Sequence, residues 1–198
     1  MKRKFSLIFL CVLLAFAAQA NALLITPDSG SLVFPVTKWV GDDTANLNAG
    51  DISDIVGETV QELYKQNTGN PLPPDTGPLA GSYQTTFFNP SDPEDASDPE
   101  DALIDVSGPY IYSSAYLFVK DGNSSPAWYL FDLFGIGWNG TDDIKLEDFW
   151  AGEGTAGKGS ISHVALYGGD PVPEPISMIL FGTGLVGVGG YVRRKFKK

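Results

Sequence analysis

Two apolar segments without a charged residue lie near the two ends of the 198-residue chain, and cations flank both of them. Residues 5–17 follow a basic N-terminal stretch, and residues 176–192 precede a basic C-terminal tail. Both patterns are typical of segments that meet a membrane rather than of a water-soluble core. About 150 residues remain between them, which is enough for one domain with a core of its own.

The N-terminal segment has the three parts of a secretory signal peptide. A basic region, the apolar segment and the small-x-small sequence Ala20-Asn21-Ala22 follow one another, so we predict a signal peptide over 1–22 with cleavage after Ala22 and export through the Sec translocon. Cleavage after Ala20 is the alternative. The chain's one cysteine, Cys11, lies inside this segment. The mature chain therefore contains no disulfide, thiol chemistry or cysteine-based metal site.

The C-terminal region, 172–198, begins with the triplet Pro173, Glu174 and Pro175. Proline fixes φ and disfavours helix in the residue before it, so the triplet is predicted to be extended and accessible to a processing enzyme. The 17 uncharged residues of 176–192 reach roughly 25 Å as a helix, at the short end for a single membrane span. By the positive-inside rule the tail orients the C-terminus toward the cytoplasm, through Arg193, Arg194, Lys195, Lys197 and Lys198.

This order of triplet, apolar span and basic tail resembles the PEP-CTERM sorting domain of exopolysaccharide-producing Gram-negative bacteria. The resemblance implies an exported protein that an exosortase recognises and processes. It implies anchoring in the inner membrane before processing, and a place at the cell surface or in the extracellular matrix afterwards. The stretch from Trp128 to Gly169 is also similar to the closing part of many PEP-CTERM ectodomains, a likeness that assigns no catalytic residue.

The segment between the two signals, 23–171, is strongly acidic. It holds five lysines against 23 aspartates and glutamates, a formal charge of −18. Nucleic-acid binding rests on lysine and arginine, so nucleic acid is excluded as a partner. The acidity indicates solubility or, alternatively, cations such as Ca²⁺ that bridge the protein to a matrix.

A hexapeptide, SDPEDA, occurs twice in succession over 91–102 and is predicted to form a solvated loop. Its carboxylates suit weak attraction of cations, but their spacing lacks the glycine and the terminal glutamate of an EF-hand. We therefore expect no metal site and no cofactor. The acidic residues concerned are Asp92, Glu94, Asp95, Asp98, Glu100 and Asp101.

Between residues 48 and 66, apolar residues recur at helical spacing. The pattern predicts one amphipathic helix over about 51–66, with Asp51 as its N-cap. Elsewhere short β-prone runs dominate, at 23–26, 33–40, 82–88 and 144–149. Two aromatic runs, 109–120 and 127–134, are separated by a turn sequence and predict a hairpin near the middle of a sheet, and 161–167 predicts the last strand. The fold class expected is mainly β, a two-layer antiparallel β-sandwich of seven to nine strands with the helix at one edge or end.

The mature chain contains few candidate catalytic residues. Its single histidine, His163, alternates with apolar residues in the last predicted strand, which is typical of a structural side chain. A glycoside hydrolase needs only two facing carboxylates, and this remains the third alternative. Its candidate residues are Asp132, Asp142, Asp143, Glu147 and Asp148.

We therefore predict a non-enzymatic exported surface or matrix protein associated with exopolysaccharide or biofilm. The alternative from another class is a carbohydrate-binding module. Trp138 lies between Gly137 and Asn139 in a predicted loop and is the candidate platform for stacking a sugar.

Overall fold

The structure, a computed structural model, describes residues 22–89, 99–121, 124–150 and 160–172. These residues form nine strands and one helix. In chain order they are β1 (Ala22–Ile25), β2 (Lys38–Gly41), α1 (Ala49–Val56), β3 (Gln61–Asn67), β4 (Tyr83–Phe88), β5 (Asp101–Val106), β6 (Tyr116–Lys120), β7 (Trp128–Asp132), β8 (Asp143–Leu146) and β9 (His163–Gly168).

The strands form two sheets. The four-stranded sheet has the order β1-β8-β5-β4, and the five-stranded sheet has the order β2-β7-β6-β9-β3. The predicted hairpin is confirmed, because β6 and β7 pair antiparallel with Tyr116 opposite Asp132 and neither strand lies at an edge. The prediction of a mainly β domain with one helix is confirmed as well, within the described residues. The prediction that all pairs are antiparallel is wrong, since β1 runs parallel to β8 with Ala22 opposite Asp143.

One hydrophobic core is shared by the two sheets. Period-2 alternation sends every second side chain of a strand to the same face, so each sheet contributes one face to this core. The four-stranded sheet contributes Ile25, Tyr83, Phe87, Ala102, Ile104, Ile144 and Leu146, and the five-stranded sheet contributes Tyr64, Leu117, Val119, Phe131, Val164 and Leu166.

The other face of the five-stranded sheet is also buried, under α1. Ile52 of α1 is fully buried in a second cluster that includes Phe118, Trp128 and Tyr167. Every residue of β6 and β9 is consequently buried. Strands covered on both faces have continuous apolar runs, and the run at 109–120, which contains β6, was for this reason predicted to lie near the middle of a sheet.

The helix is shorter than predicted and its N-cap is a different residue. Asn48 is the N-cap and accepts hydrogen bonds from Gly50 N at 2.8 Å and Asp51 N at 3.3 Å, while the Asp51 carboxylate accepts from Asn48 N at 2.8 Å. This reciprocal pair is a capping box, in which Asp51 is the third helical residue. The helix ends at Val56 because Gly57 adopts the left-handed conformation at φ 79°.

The second half of the predicted helix is strand β3. The pairing with β9 shifts register between Glu62 and Tyr64, so Leu63 is an extra residue in the strand. Leu63 and Tyr64 are both buried as a result. The bulge buries Leu63 and Tyr64 together, and with Val60 just before the strand they have the spacing of one helix face.

Several predicted strands differ from the structure in extent. The run at 33–40 contributes only β2, and Leu32, Val33 and Phe34 instead form an exposed loop. The run at 109–120 becomes regular only at Tyr116. Strand β5 begins inside the second copy of the repeat, at Asp101, where a loop was predicted. Within the described residues no helix is long and apolar enough to span a membrane. The predicted span 176–192 lies outside these residues, and so does the predicted signal peptide 1–22 except for Ala22.

Leu117→Ala tests whether the shared core holds the two sheets together. Leu117 is fully buried between them, so we expect the free energy of unfolding to fall by about 2–5 kcal/mol in urea denaturation. Val33→Ala is the control, since Val33 is 73% exposed and its loss is expected to change stability by no more than about 0.5 kcal/mol. Equal stability of the two variants would contradict the assignment of the core.

Candidate functional site

The described chain ends in a short antiparallel ribbon that joins residues 111–113 to residues 170–172. Ser113 N donates to Asp170 O at 3.0 Å, and Val172 N donates to Ile111 O at 2.7 Å. Tyr112 lies opposite Pro171 between these two hydrogen bonds. The backbone is therefore held on the domain as far as Val172, one residue before Pro173.

Two glycines allow the chain to approach the domain closely at this point. A Cβ atom on Gly168 would lie 2.1 Å from Tyr110 Oη, and one on Gly169 would lie 2.6 Å from Ser113 Oγ. Gly169 N donates to Ser114 Oγ at 2.9 Å, and Tyr110 Oη donates to Ser114 O at 2.5 Å. Any larger residue at 168 would push the end of β9 away from the ribbon.

The residues from the ribbon onward identify the sorting signal of this chain. Residues 171–195 match the PEP-CTERM protein-sorting motif. The chain carries a PEP-CTERM sorting motif. The motif is that of an exported protein sorted through an exosortase, as the resemblance implied. No curated protein and no solved structure matches the chain.

The PEP-CTERM motif overlaps the described structure at Pro171 and Val172 only. The triplet Pro173, Glu174 and Pro175, the predicted span 176–192 and the cations of 193–198 lie outside the described residues. At the other end, Ala22 already belongs to strand β1. Cleavage after Ala22 therefore removes the first residue of β1, whereas cleavage after Ala20 keeps the strand whole.

Trp138 does not offer the exposed platform that its loop position suggested. Its side chain is only 4% exposed, and its Nε1 donates to Asp142 O at 2.7 Å. The ring stacks on Phe134 at 6.0 Å and meets Tyr110 edge-on at 5.2 Å. The prediction is wrong because Tyr110, distant in sequence, and the nearby Phe134 cover a residue whose flanking glycine and asparagine indicated exposure.

The acidic repeat is only partly described. Asp92, Glu94, Asp95 and Asp98 lie outside the described residues. Glu100 and Asp101 are 8% and 6% exposed, so they do not belong to a solvated cation-attracting loop as predicted. Asp101 accepts a hydrogen bond from Asp148 N at 2.9 Å, and burial raises its pKa. Among the described residues, no group of three His, Asp or Glu side chains is placed to hold a metal ion.

His163 is buried in the second cluster of the five-stranded sheet. It packs against Phe118 with 5.7 Å between ring centroids. Burial, with Lys65 and Lys120 nearby, lowers the pKa of His163 to about 3. The imidazole is therefore neutral at physiological pH and only 5% exposed, which gives a substrate no access to it.

The carboxylates considered for glycoside hydrolysis form contacts within the fold. Asp132 Oδ1 accepts from Gly135 N at 2.9 Å and closes the turn after β7. Asp143 Oδ1 accepts from Val106 N at 2.8 Å, and Glu147 forms an ion pair with Lys145. These contacts link neighbouring strands and turns of the four-stranded and five-stranded sheets.

A cleft of about 470 Å³ lies beside the edge strand β2, and sequence reasoning missed it. Its walls are Leu32, Val36, Lys38, Trp39, Val40, Ile55 and Trp128. In sequence, Phe34 lies between the wall residues Leu32 and Val36, and its side chain is 95% exposed. Trp128 Nε1 is buried and has no hydrogen-bond partner among the described residues. The apolar run before Pro35 was the available signal, but it was interpreted as part of a strand.

The depressed pKa of His163 predicts a specific pH dependence. Below pH 6.5 the unfolded chain binds a proton on this residue while the folded chain does not, so stability falls as the pH decreases toward 3. The variant His163→Gln has no imidazole, so it lacks this pH-dependent contribution to the free energy of unfolding. Between pH 7 and pH 5, wild type is expected to lose about 2 kcal/mol more than the variant in urea denaturation. The same loss in both proteins would show that His163 is protonated in the folded state.

Proposed function

We propose that this protein is a non-enzymatic component of the cell surface or extracellular matrix. It is exported through the Sec translocon, held in the inner membrane by 176–192, and then processed by an exosortase at or near Pro173-Glu174-Pro175. The observation that carries the proposal is the PEP-CTERM motif at 171–195, which begins where the folded domain ends. In the mature protein, two sheets form the layers of a β-sandwich associated with exopolysaccharide or biofilm.

Two properties of the domain support a structural role rather than catalysis. The histidine is neutral and enclosed, so it does not serve as an accessible general base. The acidic residues near the sheets cap turns and join strands through Asp132 and Asp143. The formal charge of −18 over 23–172 keeps such a domain soluble in a hydrated matrix and holds Ca²⁺ or other counter-ions near it.

Replacement of Pro173-Glu174-Pro175 by three alanines tests the processing step. With the motif removed, the C-terminal tail is expected to remain on the protein in cells that contain the exosortase, and a blot against a tag placed after Lys198 measures this. Pro71-Leu72-Pro73 is a second Pro-x-Pro triplet, in a loop of the domain, and its replacement by alanines is the matched control. Normal trimming of the 173–175 variant would disprove recognition of the triplet.

The second candidate function is binding of a carbohydrate at the cleft beside β2. The observation that favours it is Phe34, an aromatic ring that is 95% exposed and lies in sequence between Leu32 and Val36, two residues of the cleft wall. Ligand sites are commonly apolar clefts with a few polar groups, and the walls of this cleft are mostly apolar and aromatic. Aromatic faces bind the apolar face of a sugar ring, which moves the glycan hypothesis from Trp138 to this edge of the sheet.

Phe34→Ala tests the carbohydrate hypothesis. If Phe34 stacks on a sugar, the variant is expected to bind an array-selected glycan about 2- to 10-fold more weakly in affinity electrophoresis. Leu72→Ala is the control, because Leu72 is an exposed apolar residue of a different loop. Equal retardation of Phe34→Ala and wild type, or the absence of any glycan ligand, would leave the cleft without this function.

A further inference from the structure

Apolar side chains surround the point at which the chain leaves the domain. Ile111 and Val172 are 50% and 51% exposed. They are opposite each other in the antiparallel ribbon, because Tyr112 lies opposite Pro171, so their side chains share one face. Tyr112 is half-buried on the other face. The outer two pairs of the ribbon are therefore apolar on both faces, and the exposed Asp170 lies one pair farther in, on the face of Ile111 and Val172.

An aromatic cluster continues this surface away from the ribbon. Tyr110 contacts Tyr112 at 5.3 Å and Phe134 at 5.7 Å between ring centroids. Phe134 is 39% exposed and stacks on the buried Trp138. We call Ile111, Tyr112, Phe134 and Val172 together the exit surface. Tyrosine with an apolar body and a polar hydroxyl is enriched where a protein meets the headgroup region of a membrane.

The exit surface is tied to the C-terminal segment by a very short tether. Only three residues, 173–175, separate Val172 from the first residue of the predicted span, Ile176. Fully extended, the backbone from Val172 to Ile176 reaches at most about 14 Å. The ribbon shortens the free linker, because it holds the backbone on the domain as far as Val172. A span that begins at Ile176 therefore keeps the exit surface, rather than any other face, within that distance of the bilayer.

We propose that the exit surface rests on the neutral phospholipid surface of the membrane for as long as the C-terminal segment is attached. This inference rests on the proposed function, since it requires 176–192 to lie in the bilayer. Release by processing removes the tether and with it the contact. The bilayer is thus a temporary partner of the domain, and the exit surface is its docking site.

Charge and tethering determine the chemistry of this contact. The domain is too acidic to be attracted to anionic lipid, so apolar and aromatic side chains must supply the contact. Four partly exposed side chains are too few to hold a free domain on a membrane. A tether of a few residues raises the effective concentration into the millimolar range or above, which is sufficient for a weak contact to form.

A fluorescent label at Ile111 measures the contact directly. The signal-cleaved chain with its C-terminal segment intact is placed in phosphatidylcholine vesicles. It lacks Cys11, so Ile111→Cys is its only thiol. We expect blue-shifted NBD emission at 111 and severalfold stronger quenching by nitroxide lipids than at Ser125→Cys. Ser125 is the matched control, because it is exposed in the β6–β7 connection at the opposite end of the five-stranded sheet. Val172→Cys is the second label site if Ile111→Cys does not fold.

A linker variant tests the tether. Insertion of about 12 Gly and Ser residues between Val172 and Pro173 lowers the effective concentration by roughly tenfold, so quenching at 111 is expected to fall toward the value at 125. Water-like emission at 111 in chains that float with the vesicles would overturn the docking inference and leave the anchor intact. Chains that do not float with the vesicles would overturn both the anchor and the docking. Undiminished quenching in the linker variant would contradict the role of the tether.

Discussion

Burial of the five-stranded sheet on both faces is the interaction on which the rest of the structure depends. One face packs on the four-stranded sheet and the other is covered by α1, so β6 and β9 are buried along their whole length. The chain's one cysteine, Cys11, lies outside the domain, so no disulfide within the domain adds to this burial. The edge strands are held less firmly: β2 has four residues and lies beside an open cleft.

The same sheet fixes where the sorting motif begins. Strand β9 pairs with β6 on one side and β3 on the other, and it continues through two glycines directly into the exit ribbon. The PEP-CTERM motif therefore starts within a few residues of one of the most buried strands, without a flexible linker between Gly168 and Val172. In the anchored state that we propose, a folded domain and a short tether together restrict which face of the protein meets the membrane and the processing enzyme.

The parts of the fold that the sequence predicted are those in which one physical signal dominates. Strands β6, β7 and β9 have long apolar and aromatic runs, and the hairpin turn between β6 and β7 has the expected residues. The helix was predicted too long because the bulge at Leu63 gives β3 the apolar spacing of a helix. Trp138 was predicted to be exposed and is buried, since exposure in loops depends on contacts with residues far apart in sequence, such as Tyr110. The PEP-CTERM motif was recognisable because its order of triplet, span and cations depends on sequence alone.

The central claim is that the chain is delivered outside the cell and separated from its C-terminal segment. Intact-mass spectrometry of wild-type protein recovered from outside the producing cells tests it most directly, because one mass defines both ends of the chain. The account predicts a protein that begins at Leu23, or at Asn21 for the alternative signal site, and ends at or near residues 173–175. A secreted protein that still extends to Lys198, or a chain found only inside the cell, would contradict it.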